Sequence, residues 1–214
     1  MSASNLYRWS GLALVIGALL MSVGSVIRLD GSNLANVVQP IFAVSWLLAF
    51  VGGLFVLLGL PAMYAYQSRQ AGKLGLIGFA LTFLGLATVE VGSAVLDGSV
   101  RPWLAGNPAT QALVAQPLEA QMWAGFTTVF TIGFIMLNLG LIVYGIAMLR
   151  ARVFPRWAAL LIIVGVPAVF ILGGLSPLIG AKPEVLIFLG LAWCGAMLWS
   201  GKGATVKKPA LATA

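Results

Sequence analysis

The sequence predicts an all-α fold: a polytopic membrane helix bundle with six transmembrane helices and both termini in the cytoplasm. Two observations carry that expectation. Hydrophobic runs recur at about residues 9–27, 41–62, 74–96, 124–148, 157–175 and 184–200, each roughly 17–25 residues, the length that crosses the hydrocarbon core of a bilayer. Charge is sorted among the segments that join them. Nine of the twelve Lys and Arg residues fall in alternate segments: Arg8, then Arg69 and Lys73, then Arg150, Arg152 and Arg156, then Lys202, Lys207 and Lys208. The intervening segments hold Arg28, Arg101 and Lys182 together with the acids Asp30, Asp97, Glu119 and Glu184. Lys and Arg are retained on the cytoplasmic side, which places both chain ends inside.

Composition excludes a water-soluble fold. The chain is 61% hydrophobic and 8% charged, against about 25% charged residues in soluble domains. Six spans of about 20 residues each use more than half of the 214 residues. The expected organisation is therefore one bundle over residues 1–200 and a disordered basic tail over 201–214. The net charge of +7 reads as a cytoplasmic rim facing anionic lipid, worth about 1 kcal/mol per residue near the surface. It is not a nucleic-acid signal. The expected partners are the lipid bilayer and either a second copy of the chain or another membrane protein.

The first span opens at Arg8-Trp9 and ends at Arg28. Its apolar stretch exceeds the roughly 7–15 residues of a signal-peptide core, so it reads as a retained anchor. Span two ends near Pro61, with Tyr64 and Tyr66 at the inner interface, and a tight basic loop from Gln67 to Gly72 follows. Span three runs outward to Asp97. The longest connection, from Asp97 to Gln121, carries Pro102, Pro108 and Pro117 as breakers. Within it, residues 109–116 read as a short helix or turn on the outer surface, with Asn107 as its cap. Span four returns to Arg150. Span five carries Pro167, where a kink or hydrogen-bond gap is expected, and Gly173-Gly174 loosens its outer end. Span six ends near Trp199. Trp46, Trp103, Trp123, Trp157 and Trp199 read as interface anchors. Residues 59–73 and 140–156 resemble each other, either as a parallel repeat or because inner interfaces collect the same residue types.

Absences narrow the chemistry. The chain has no histidine and one cysteine, Cys194. That removes histidine-dependent zinc sites, haem ligation and His-dyad catalysis, and it removes paired-thiol exchange. No phosphate-binding Gly-Lys-Ser/Thr loop occurs. No metal site, cofactor or catalytic residue is expected.

Glu90 is the one ionisable group deep in a span, roughly 7–8 Å outward of the centre of span three. Intramembrane acids are costly and face a cavity or a partner. Ser93 and Asp97 follow it at i+3 and i+7 on one helix face. Ser22, Ser25 and Arg28 make a similar stripe on span one, and Arg28 is the nearest counter-ion. Thr127, Thr131 and Asn138 share a face of span four. Two readings stand. One is a small polar cavity opening outward, with Glu90, Arg28, Ser25, Ser22, Ser93, Thr127, Thr131 and Asn138 as its binding cluster. The other is structural: the hydroxyls bond their own backbone, and Glu90 is an interhelical tie to Arg28, Ser25 or Thr131. Small residues at four-residue spacing, such as Ala13 with Gly17 and Ala18 with Ser22, permit close helix approach.

The segment Tyr144–Leu161 (YGIAMLRARVFPRWAALL), with the Arg-Trp-Ser-Gly opening at Arg8, resembles uncharacterised small multi-span integral membrane proteins of bacteria. The resemblance is clearest in the hairpin joining spans four and five. It implies a bacterial inner membrane and carries over no active-site residue. The expected role is a non-enzymatic scaffold, sensor or accessory subunit. The alternatives are a proton- or cation-coupled transporter or channel subunit using Glu90, and a membrane enzyme acting on a lipid or quinone.

Overall fold

The computed structural model describes residues 3–116, 124–175 and 182–201. Glu119, Trp123 and the tail from Lys202 lie outside the described residues. All regular structure among the described residues is helical. Four stretches are long and apolar enough to cross a membrane: Asn5–Ile27, Pro40–Ala105, Thr127–Ala151 and Lys182–Ser200. A shorter apolar helix covers Arg156–Leu172.

Pro40–Ala105 is not one rod. Its backbone leaves helical geometry at Gly72, with φ 56° and ψ −150°, a region essentially closed to residues with a Cβ. The chain folds back there. Gly53 faces Val91 and Gly98 faces Trp46, so the arms run antiparallel. We label the long helices α1 (Ala3–Ile27), α2 (40–71), α3 (73–105), α4 (Ala124–Ala151), α5 (Arg156–Leu175) and α6 (Val185–Ser200). The basic loop expected over Gln67–Gly72 is therefore helix as far as residue 71, and a single glycine makes the reversal.

The helices pack in chain order as a ring. Gly17 of α1 faces Gly52 of α2, and Gly24 faces Ser45. Gly78 and Gly85 of α3 face Tyr144 and Leu137 of α4. Gly145 of α4 faces Ile163 of α5, and Gly165 of α5 faces Ile187 of α6. Gly195 of α6 returns to Gly11 of α1 and closes the ring. Wherever two contacts mark a pair, numbers rise on one helix as they fall on the other, so neighbours are antiparallel. In lipid no hydrophobic force separates helix from solvent, and close backbone approach supplies the attraction. A Cβ on Gly17 would lie 2.6 Å from the Gly52 carbonyl oxygen, so these positions admit nothing larger. Leu14, Met21, Met63, Tyr144, Met148 and Ile162 fill the centre, each almost fully buried.

The charge sorting of the sequence is also a sorting in space. Tyr7 meets Tyr66 at 5.5 Å between ring centroids, and Tyr66 meets Phe154 at 5.7 Å. That places the start of α1, the end of α2 and the α4–α5 link at one end, beside Arg69, Lys73, Arg150, Arg152 and Arg156. Gly11 packs against Leu198 and Trp199, so the start of α1 and the end of α6 share it. The opposite end holds Arg28, Asp97, Arg101 and Glu184.

That opposite end is more built than the sequence indicates. The helix expected to stop at Asp97 continues to Ala105. It does so through a π turn over Leu96–Val100, which interrupts the α-helical bonding just where Pro102 lacks an N–H. Arg101, only 9% exposed, donates to Asp97 Oδ1 at 2.6 Å and to the carbonyls of Val114 at 2.7 Å and Gly31 at 3.2 Å. It thereby ties parts of the α1–α2 and α3–α4 connections to α3. Val37, Phe42, Leu104, Ala105 and Val114 form a separate small core beneath it. The expected short helix over 109–116 is a 3-10 turn, Gln111–Leu113, preceded by Asn107 accepting the Ala109 N–H at 3.0 Å. Helix α5 is continuous through Pro167.

Candidate functional site

A cavity lies between α2, α3, α4, α5 and α6 in the half of the bundle nearer Arg28. It is small, about 70 Å³, room for a few water molecules or a compact polar group. Most of its wall is Val, Leu, Ile and Phe. Four polar side chains interrupt it: Thr82 and Glu90 from α3, Asn138 from α4, and Glu184 at the start of α6. Glu90 ends a second π turn, Leu86–Glu90. Such a turn re-aims a side chain within an otherwise regular helix and is frequent at functional positions.

Glu184 is the acid that sequence reasoning left in a loop. It sits on the short 3-10 turn Lys182–Glu184 that opens α6. Its Oε2 lies 3.7 Å from the Arg28 guanidinium and accepts from the Ser25 hydroxyl at 3.5 Å. Both contacts are long. Arg28 also stacks on Trp46, 4.0 Å from its guanidinium carbon to the ring centroid, and its Nε is buried without a hydrogen-bond partner. Trp46, half-buried, is thus a platform for Arg28. Glu90 feels the charge of Arg28 but makes no ion pair among the described residues. Glu90 and Glu184 also interact electrostatically with each other. Among the described residues only Glu184 pairs with this guanidinium.

The expected cluster is divided by the structure. Arg28 and Ser25 meet Glu184, and Glu90 and Asn138 line the cavity. Ser22 is buried but donates to its own helix at the Ala18 carbonyl, 2.8 Å away. Thr131 donates to the Thr127 carbonyl at 2.8 Å on an exposed face. Neither Thr131, Thr127 nor Ser93 lines the cavity, so the expected face of span four contributes Asn138 alone. Asn138 donates to the Phe134 carbonyl at 2.8 Å. Thr82, missed in the sequence, is 1% exposed, and its hydroxyl has no hydrogen-bond partner among the described residues.

The wall of the cavity also reaches the surface of the bundle. The exposed part of the wall is Phe134 on α4 and Phe170 on α5, 43% and 51% exposed. Their rings meet edge to face at 5.8 Å. Both stand among the exposed apolar side chains of their helices, such as Ile135, Leu139 and Ile171. The flank faces sideways, where acyl chains would lie.

A second polar pair lies deeper toward the basic end. Gln67 and Tyr144 are fully buried neighbours, yet neither the Gln67 amide nor the Tyr144 hydroxyl reaches hydrogen-bonding geometry. Cys194 is buried and free. Among the described residues, no cluster of His, Cys, Asp and Glu is placed to hold a metal ion.

Fold and site together define an all-helical protein whose apolar helices are long enough to cross a bilayer, with an acid-bearing cavity inside. No known protein-family model, curated protein or solved structure matches this chain.

Proposed function

We propose that this chain is a six-crossing integral membrane protein of the bacterial inner membrane, with both termini cytoplasmic, acting as a non-enzymatic ligand-binding sensor or accessory subunit. The topology rests on the charge sorting and on the two antiparallel arms of Pro40–Ala105. Reporter fusions after Arg101 or Lys182 are expected to read outside, and fusions after Arg69, Arg152 or Lys208 inside. The reverse pattern, or an odd number of crossings, refutes it.

The binding role rests on one observation: the cavity carries the buried Thr82 hydroxyl, which no group among the described residues satisfies. Buried polar groups ordinarily find partners, and a ligand or water in the cavity supplies one. The arrangement offers no nucleophile–base pair and so favours binding over catalysis.

A second reading has its own support. Glu90, beside the Arg28–Glu184 pair but outside it, leaves room for a proton or small cation, as a coupled transporter requires. Purified protein in liposomes separates the two. Proton or cation flux that disappears in Glu90→Gln supports transport. No flux, with a small molecule co-purifying in native mass spectrometry and lost in Phe170→Trp, supports the binding role.

A further inference from the structure

Resting on the transport reading above, we infer that Thr82, Tyr144 and Gln67 extend the cavity into a proton relay from Glu90 toward the basic end of the bundle. Three buried side chains carry the inference, because groups of their kind ordinarily find hydrogen-bond partners. The Thr82 hydroxyl, the Tyr144 hydroxyl and both polar atoms of the Gln67 amide have none among the described residues. Tyr144 and Gln67 are fully buried, and Thr82 nearly so. Thr82 also departs from the habit of its neighbours. Ser22, Thr88 and Thr131 each donate to the carbonyl four residues back on their own helix, at 2.8 Å. Thr82 makes no such bond.

The three side chains follow one another along the bundle. Glu90, Asn138 and Thr82 line the same cavity. Glu90 and Thr82 are about 12 Å apart along the α3 axis. Hydrogen-bonded oxygens stand about 2.8 Å apart, so about three waters bridge that gap, and a cavity of about 70 Å³ has room for them. Beyond Thr82 the α3–α4 seam sets the register. Gly140 packs on the Thr82 backbone and Gly78 on that of Tyr144, so Thr82 and Tyr144 lie one turn apart on facing helices. Helical side chains lean toward their own N-terminus. Because α3 and α4 are antiparallel, Thr82 and Tyr144 lean toward each other's level. Gln67 of α2 neighbours Tyr144 and lies near the Gly72 reversal, at the basic end.

The chemistry is that of a proton and not of a larger ion. Glu90 makes no ion pair among the described residues, while Glu184 meets the Arg28 charge at 3.7 Å. An unpaired buried carboxyl keeps its proton, which it can pass on and regain. A hydroxyl accepts a proton on one side and releases its own on the other, and an amide orients water by accepting through oxygen and donating through nitrogen. Each passage takes up one proton at the outer side, where the Arg28 and Glu184 side chains are 14% and 16% exposed. It delivers one toward the basic end, and every group returns to its starting state. Fully buried side chains at Tyr144 and Gln67 leave no passage for a hydrated cation.

The full chain in liposomes tests the relay, with pyranine inside to read proton flux and a sodium indicator in parallel samples. The native chain is expected to move protons and not sodium. Tyr144→Phe, Thr82→Val and Gln67→Met are each expected to slow proton flux at least tenfold, and Glu90→Gln to abolish it. Tm in the same lipid should hold or rise for Tyr144→Phe and Thr82→Val, because each removes a buried group with nothing to bond. That pairing of lost flux with kept stability is what a purely structural role would not give. If Gln67→Met fails to fold, Tyr144→Phe and Thr82→Val still decide. Proton flux that survives those variants overturns the relay and leaves the transport reading standing. Sodium flux without proton flux does the same. Flux that falls only where Tm falls marks the groups as structural and overturns the relay. No flux of either ion in the native chain overturns both readings.

Discussion

The two ends of the α4–α5 seam solve the packing problem in opposite ways. Toward the basic end these helices touch through glycine, as α3 and α4 do along much of their length. Gly78 presses on the backbone of Tyr144, Gly140 on that of Thr82, and Gly145 on Ile163. The link between α2 and α3 there is a single residue, Gly72. Toward the other end, α4 and α5 meet through aromatic rings at Phe134 and Phe170, and a cavity opens behind them. At that end the segments around Gly31 and Val114 fold into a cap on Arg101. Small side chains let helices approach until backbones touch. Large rings hold them apart, and the space left over is where polar groups collect. One end of that seam is therefore a clamp and the other a receptacle.

The contrast breaks most severely at Arg101. Arg101→Ala removes three hydrogen bonds and leaves Asp97 facing a nearly buried space. Losing one partner of a buried charge pair costs about 3–5 kcal/mol. The expected result is a large drop in Tm, with protease cleavage near Gly31 and Val114 appearing before the helices unfold. Unchanged protection of both segments would show that the cap does not depend on Arg101.

The clamp is tested by two glycines with different reasons for being glycine. A Cβ on Gly78 would sit 2.6 Å from the Tyr144 nitrogen, and overpacking of that kind costs about 1–3 kcal/mol. A Cβ on Gly72 would touch nothing within 4 Å, so Gly72→Ala pays only for backbone strain, also about 1–3 kcal/mol. Chemical-denaturant or thermal unfolding in mild detergent measures both. Enlarging the partner helix spacing through Tyr144→Ala should partly rescue Gly78→Ala and leave Gly72→Ala unrescued. Equal rescue would show that the two positions share one cause.

Phe134→Ala sharpens the comparison on the receptacle side. It removes an edge-to-face pair worth about 0.5–1.5 kcal/mol beyond area burial. Because the ring is 43% exposed, stability should fall modestly while lipid-soluble probes label an engineered Asn138→Cys faster. Unchanged labelling would place the entrance elsewhere.

The smallest effect concerns Asp30, in the outer connection. The Ser32 backbone N–H donates to Asp30 Oδ1 at 2.9 Å and the Ser32 hydroxyl at 2.8 Å, and these bonds hold the carboxyl below its ordinary value of 3.8. A depressed carboxyl stabilises the fold fully above that ordinary value and loses the contribution as pH falls through its lowered one. Ser32→Ala should move the Asp30 titration upward by NMR. It should slightly reduce stability at neutral pH and make less difference at acid pH. A titration that does not move would remove Ser32 as the cause.

The sequence by itself determined the helical class, the apolar lengths and the segregation of charge. Those depend on composition and on period along a single helix, which the chain carries locally. It also marked Glu90, because a lone acid in an apolar run is conspicuous without knowledge of its neighbours. It misread places where a local signal had a tertiary answer. Gln67 reads as loop because bases and a glycine follow it, yet the helix holds and the residue is buried beside Tyr144. Pro102 reads as a stop, yet a π turn carries α3 past it. Only the tertiary structure decided Arg28's partner. Arg28 and Glu184 lie 156 positions apart in the chain, and nothing in either segment points to the other. The ring closes by bringing α6 back to α1, and that closure sets the acid of one helix against the guanidinium of the other. The same closure assigned Thr82 and Asn138 to the cavity and left Thr131 outside it, because the face a polar residue takes on a helix is local, whereas what stands opposite that face is decided by packing.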